Sequence, residues 1–226
     1  MYQLFIANKN YSSWSLRPWL LLTELGIAFS EQTFTFEGSD NAEKFRKFAP
    51  NGKVPCLHDG DLVVWDSLAI IEYLAERHVG VWPADAKARA YARCAAAEMH
   101  SGFTQLRGNC PMNVGIRVHI DQLPAGLTAD LQRIAALWQQ GLTEFGGPFL
   151  AGAQFSAVDA FFAPVAFRVQ TCQLPLPAAA AAYVQRLLAL PGMQAWQQAA
   201  LAETTRDPAH EVESSKVGRI VADYRA

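Results

Sequence analysis

The sequence predicts an α+β unit over residues 1–79, a linker over 80–86 and an all-α unit over 87–226. Three observations point there. Short apolar, β-prone runs alternate with helical patterns only in the first part. An Asp59-Gly60 pair joins two of those runs as a hairpin turn. Beyond Trp82-Pro83, apolar residues recur only at helical spacing.

The elements follow in order. Residues 2–7 read as a strand. Residues 16–25 are apolar almost all round and stop at Gly26, as a helix would. Residues 31–36 alternate like a strand. Asp40 followed by Glu43 resembles a capping box, opening a short helix through Phe48. Asn51-Gly52 is a turn. Strands over 54–58 and 61–65 flank Asp59-Gly60, and Ser67 opens a helix running to about His78. The order βαβ, short helix, ββα is a thioredoxin-like arrangement.

The second part is rich in helix formers over 87–107, and Pro111 must break or kink that helix. Leu127, Leu131, Ile134, Leu137, Trp138 and Leu142 keep helical spacing. Ser156-Ala157-Val158-Asp159 resembles a capping box before another apolar helix. Helices over 178–189 and 192–202 follow, and the tail after Thr204 carries less pattern.

A chain of 226 residues can bury a core without staples. Its formal net charge of −2 predicts no nucleic-acid partner and no anionic membrane surface, since both demand a basic face. No apolar run reaches the roughly 20 residues of a bilayer span, and the first residues lack a secretory pattern. These features predict a cytoplasmic protein. Cys56, Cys94, Cys110 and Cys172 form no C-x-x-C pair, and the five histidines form no metal-ligand spacing, so no metal is expected.

Three segments can carry chemistry. Asn10 to Pro18 places Ser12, Ser13 and Ser15 between the first strand and the first helix. Pro18 fits best in that helix's first turn, which sets the serines at its N-terminus. Free N–H groups and the helix dipole there stabilise an anion such as a thiolate. A serine cluster can equally be a plain cap, worth about 1 kcal/mol. Asn51-Gly52-Lys53-Val54-Pro55 puts a proline at a strand start. A cis Val54–Pro55 bond would turn Val54's backbone outward to pair with an extended peptide. Asp66-Ser67 sits between strand and helix, where Ser67 suits a carboxylate and Asp66 an ammonium group.

Together these segments resemble the cytosolic glutathione S-transferase superfamily, in its serine-type, zeta-like bacterial form. Ser12-Ser13-Trp14-Ser15-Leu16-Arg17 is similar to the S-S-C-S-x-R motif of the zeta class. Asn51 to Leu57 is similar to the segment ending V-P-x-L, and Trp65 to Leu74 to E-S-x-A-I-x-x-Y-L. The resemblance implies glutathione as co-substrate and Ser12 as the donor to its thiolate. It implies Lys53 for the glycine carboxylate, Val54 as backbone clamp, Pro55 as structural cis-proline, and Asp66 with Ser67 for the γ-glutamyl end. Arg17 is expected to act in local electrostatics or an ion pair.

The implied activity is attack of the thiolate on an electrophilic, largely apolar small molecule, by a homodimer. An isomerase, a peroxidase and a non-catalytic binding module of the same fold are the alternatives. The co-substrate pocket is expected around Tyr11, Trp14, Leu106, Arg107 and Met112. Trp14 departs from the zeta-class cysteine, and Asp66 from the commoner glutamate.

Overall fold

A computed structural model describes residues 1–38 and 41–226. The expected capping residue Asp40 lies outside the described residues. The first part holds β1 (Tyr2–Ala7), α1 (Ser13–Glu24), β2 (Phe29–Phe34), α2 (Ala42–Arg46), β3 (Cys56–Asp59), β4 (Leu62–Trp65) and α3 (Ser67–Ala75). Its sheet runs β2-β1-β3-β4, with β1 parallel to β2 and antiparallel to β3. Successive β1 side chains point to opposite faces. Leu4 and Ile6 pack with Leu16 and Leu20 of α1 and Ile70 and Leu74 of α3. Phe5 and Ala7 pack on the other face with Phe45 and Phe48. This is the thioredoxin-like arrangement, and the helical part follows it.

That part holds α4 (Ala86–Ser101), α5 (Thr104–Asn109), β5 (Ile116–His119), α6 (Ala125–Glu144), α7 (Ala157–Cys172), α8 (Ala178–Leu188), α9 (Pro191–Ala202), α10 (Pro208–Val217) and β6 (Arg219–Asp223). Helix α7 buries 14 of its 16 residues, so it is the central helix, packed on α1, α4 and α8. Its start is a complete capping box. Ser156 accepts from the N3 backbone, and Asp159 accepts from the Ser156 N–H at 2.9 Å. Asp159 also takes the Leu150 N–H at 3.0 Å and the Tyr183 hydroxyl at 2.7 Å. Burial pushes its carboxyl up to about 6 even so.

Four features differ from the sequence expectation. Pro18 lies inside α1, because the helix begins at Ser13 rather than three residues later. The serines still stand at its head. The helix expected over 87–107 breaks at Gly102-Phe103. Phe103 adopts a left-handed conformation (φ 52°), and a Cβ on Gly102 would sit 2.7 Å from the Glu98 carbonyl oxygen. The helical part also carries a two-stranded antiparallel ribbon, β5 with β6. Finally, the tail is structured as α10 and β6.

Candidate active site

The β1–α1 loop presents three serines in three different settings. Ser12 is the N-cap of α1, and its side chain bonds no helix N–H. Its hydroxyl donates instead to Ser15 Oγ at 2.7 Å. Ser15 is fully buried and accepts from the Ala7 N–H at 3.4 Å, which anchors it to β1. Ser13 accepts from an Arg168 guanidinium N–H at 3.3 Å. Ser12 and Ser13 face the cavity at the head of α1, whereas Ser15 stands behind them. The first turn of α1 carries no acidic residue, so its N-terminal field is uncompensated.

The second group stands at the head of α3. Asp66 is its N-cap and accepts from the Leu68 N–H at 2.8 Å. Its backbone is left-handed (φ 74°), a conformation that costs a non-glycine residue about 1–3 kcal/mol. Its other carboxylate oxygen stands 3.7 Å from His100 Nε2, and 44% of the side chain is exposed. Ser67 follows, fully buried, with its Oγ accepting from Arg17 Nη1 at 3.2 Å. The Val54–Pro55 peptide is cis. Lys53 is exposed; its backbone N–H donates to Asn51 Oδ1 at 3.1 Å, and its ammonium has no ion-pair partner among the described residues.

Positive charge converges between these groups. Arg17 is almost wholly buried. Its guanidinium stacks over Trp14 at 4.0 Å and over Phe161 at 4.9 Å, and its Nε has no partner among the described residues. Arg107 lies over the same Trp14 ring at 5.3 Å. Arg168, buried in α7, donates to the Cys110 carbonyl as well as to Ser13. Burial first, then the charges of Arg107 and Arg168, lower Arg17 to about 9 against the opposing pull of Asp66. Burial likewise lowers Arg168 to about 10. Such shifts mark cations short of counter-charge, so the site favours an anion.

Two adjoining cavities receive these groups. The larger, about 450 Å³, is bordered by Ser12, Ser13, Arg107, Met112, Arg168 and His210. The smaller, about 210 Å³, is bordered by Asn51, Pro55, Asp66 and Ser67. Trp14, Lys53 and Val54 border both. All six sequence-predicted site residues thus meet in one cleft. Tyr11, Trp14, Arg107 and Met112 line it as expected, whereas Leu106 is fully buried in the core. Among the described residues no three His, Cys, Asp or Glu side chains converge as for a metal ion.

Family models cover most of the chain. That for the N-terminal domain of glutathione S-transferases matches residues 11–77, and that for the C-terminal domain matches residues 84–199. The chain belongs to the glutathione S-transferase family. A glutathione S-transferase-like protein, OpS6 of Beauveria bassiana, is 27% identical over 173 residues, covering 72% of this chain and 76% of its own. A zeta-class glutathione S-transferase of Euphorbia esula is 28% identical over 175 residues, covering 73% and 78%. In fold, the chain matches a glutathione transferase homologue from Burkholderia GL BGR1 solved with bound glutathione. The TM-score is 0.66 at 23% identity, over 88% of this chain and 97% of that one.

Sequence reasoning missed several groups that build the transferase's cleft. Arg168 stands 155 residues from Ser13 and could be paired with it only by the fold. His100 reaches Asp66 from the end of α4. His210 and Glu213 come from the tail, beyond the matched residues. No local pattern announces any of the four. Arg17 was expected in local electrostatics or an ion pair; its observed partners are a hydroxyl and two aromatic rings.

Proposed function

We propose that this transferase binds glutathione across both cavities and activates its thiol for attack on an electrophilic small molecule. The supporting observation is the excess of positive charge at the head of α1, where Arg17, Arg107 and Arg168 meet an uncompensated helix N-terminus. A free cysteine thiol ionises near 8.5, and positive surroundings lower that by one to several units.

The residues divide the ligand by its chemistry. Asp66 takes the α-ammonium of the γ-glutamyl end, and the hydroxyl of Ser67 donates to its carboxylate. Val54's backbone, just before cis-Pro55, pairs with the central peptide, and Lys53 takes the glycine carboxylate. Ser12 then faces the sulfur. Turning the Ser12–Ser15 pair makes Ser15 donate to Ser12 and Ser12 to the thiolate, and such chains strengthen each bond. In this reading residues 1–79 form the glutathione domain, 80–86 the linker and 87–226 the co-substrate domain. Met112 and Pro111 give the co-substrate half an apolar wall, and Arg107 a cation.

Calorimetric titration of the protein with glutathione tests the reading. Micromolar-to-millimolar binding is the expected result, and absence of binding overturns it.

A further inference from the structure

Part of the larger cavity's border lies outside both family matches: His210 and Glu213 of α10. Asp207 has a fully buried side chain. One of its oxygens accepts from the Gly38 N–H at 2.7 Å. The other accepts from the His210 backbone N–H at 3.1 Å and from the ring Nδ1 at 2.6 Å. A carboxylate at Nδ1 fixes the proton on that nitrogen and leaves Nε2 with a free lone pair. The imidazole sits between Tyr11, at 4.9 Å and 21°, and Phe36, at 4.7 Å and 36°. It borders the cavity that Ser12 faces, and Nε2 has no partner among the described residues. As a helix cap, Asp207 needs only the backbone of His210; holding the ring is a separate duty.

The segment is fastened to the loop that carries Ser12. Glu203 accepts from the Lys9 N–H at 2.6 Å and the Asn10 N–H at 3.1 Å, and Glu211 accepts from the Tyr11 hydroxyl at 2.6 Å. Strand β6 pairs with β5 behind it. The ring therefore keeps a fixed place beside the head of α1.

Ionising a thiol needs a proton acceptor as well as anion stabilisers. The hydroxyls of Ser12 and Ser13 are poor bases, and Lys53, Arg107 and Arg168 are donors only. Among the described residues bordering the cavity, only His210 and Glu213 can accept a proton. Of the two, only His210 is held by a carboxylate that fixes its tautomer. Among the described residues, the charged and titratable groups around it are Asp207, Glu211 and Glu213 of its own segment, Tyr11 before α1, Lys53 before β3, Arg107 of α5 and Arg168 of α7.

We propose that His210, oriented by Asp207, is the proton acceptor for the glutathione thiol; this rests on the glutathione reading above. The S–H bond breaks, its electron pair stays on sulfur, and the proton binds Nε2. The imidazolium later releases that proton to the leaving group or to water. His210 is then a catalytic residue and Asp207 a positioning residue.

The test is stopped-flow mixing of the full-length protein with glutathione, following the ultraviolet band of the thiolate, on wild type and His210→Ala. Unchanged glutathione affinity is expected, with thiolate appearing about 100-fold more slowly, the scale of a lost general base. Added imidazole should restore the rate, which a structural defect would not allow. His210→Gln, which keeps a hydrogen-bonding side chain at this position, serves if the alanine variant does not fold. An unchanged thiolate rate in the variant overturns the proposal alone. So does weakened affinity with an unchanged thiolate rate, which makes the ring a ligand for a glutathione carboxylate. No glutathione binding by the wild type overturns the functional reading with it.

Discussion

Arg17 reaches from α1 to the head of α3, where its Nη1–H donates to the Ser67 hydroxyl across 3.2 Å. This bond joins the two ends of the cleft. One end holds the serines of the β1–α1 loop, and the other holds Asp66 and Ser67. The guanidinium is buried among Trp14 and Phe161 with no carboxylate bonded to it. It is therefore a buried cation with no bonded counter-charge among the described residues.

Replacing it should separate function from stability. Arg17 is lowered from 12.5 to about 9, first by burial. The folded chain thus holds this proton less tightly than the unfolded chain. The penalty is full at neutral pH and fades as pH rises from about 9 toward 12.5. Arg17→Met keeps the volume and removes the buried charge, a change that is often neutral or stabilising. Thermal melting at neutral pH should show no loss of stability. The thiol of bound glutathione should meanwhile ionise about one unit higher. A large fall in Tm would contradict this.

Tyr11 borders the cavity beside Ser12, yet its hydroxyl donates to Glu211 at 2.6 Å. Burial, reinforced by Glu211, pushes it up to about 12. It stays protonated and engaged throughout the working range. Tyr11→Phe should leave the amount of thiolate formed with glutathione within about threefold of wild type, as for a lost bond worth roughly 0.6 kcal/mol. Hydrogen exchange of α10 should quicken, because one of its fastenings is gone. Loss of the thiolate in this variant would make Tyr11 the activating group.

Asp159 holds the start of α7 through the Leu150 and Ser156 N–H groups and the Tyr183 hydroxyl. Asp159→Asn turns a donor toward donors, and each orphaned buried group costs about 1–3 kcal/mol. Chemical denaturation should show a loss on that scale. The carboxyl is raised from 3.8 to about 6 by burial, so the folded chain holds its proton more tightly than the unfolded one. Its stabilising contribution is greatest below 3.8 and is lost as pH rises through about 6. The stability gap between wild type and variant should therefore widen as pH falls through 6. A gap that narrows would contradict the assignment.

Local rules made much of this chain legible. The Asp59-Gly60 hairpin, the apolar, β-prone run of β1 and the capping box at Ser156 are each contiguous, and each forms as the residues dictate. Ser12, Lys53 and Asp66-Ser67 likewise lie in short contiguous segments at element ends, which is what lets the sequence single them out. What lay hidden depends on distant partners. Ile116–His119 is too short to read as a strand without Arg219–Asp223 beside it. Helix α10 buries only Ser214 among its residues, so no apolar stripe announces it. It is held by polar bonds to residues near Tyr11 and Asn113. The cations and the imidazole of the cleft meet only when the chain closes.

The most direct test concerns Ser12. Ser12 borders the cavity at the head of α1, with its hydroxyl bonded to Ser15 behind it. The measurement is ultraviolet titration of the glutathione complex against pH, for wild type and Ser12→Ala. The wild-type complex should show a thiol ionising well below the free value near 8.5. Ser12→Ala should raise it by about one unit or more, since a bond to a charged acceptor is worth about 1.5–3 kcal/mol. A complex whose thiol ionises at the same pH in both proteins would contradict thiolate stabilisation by Ser12.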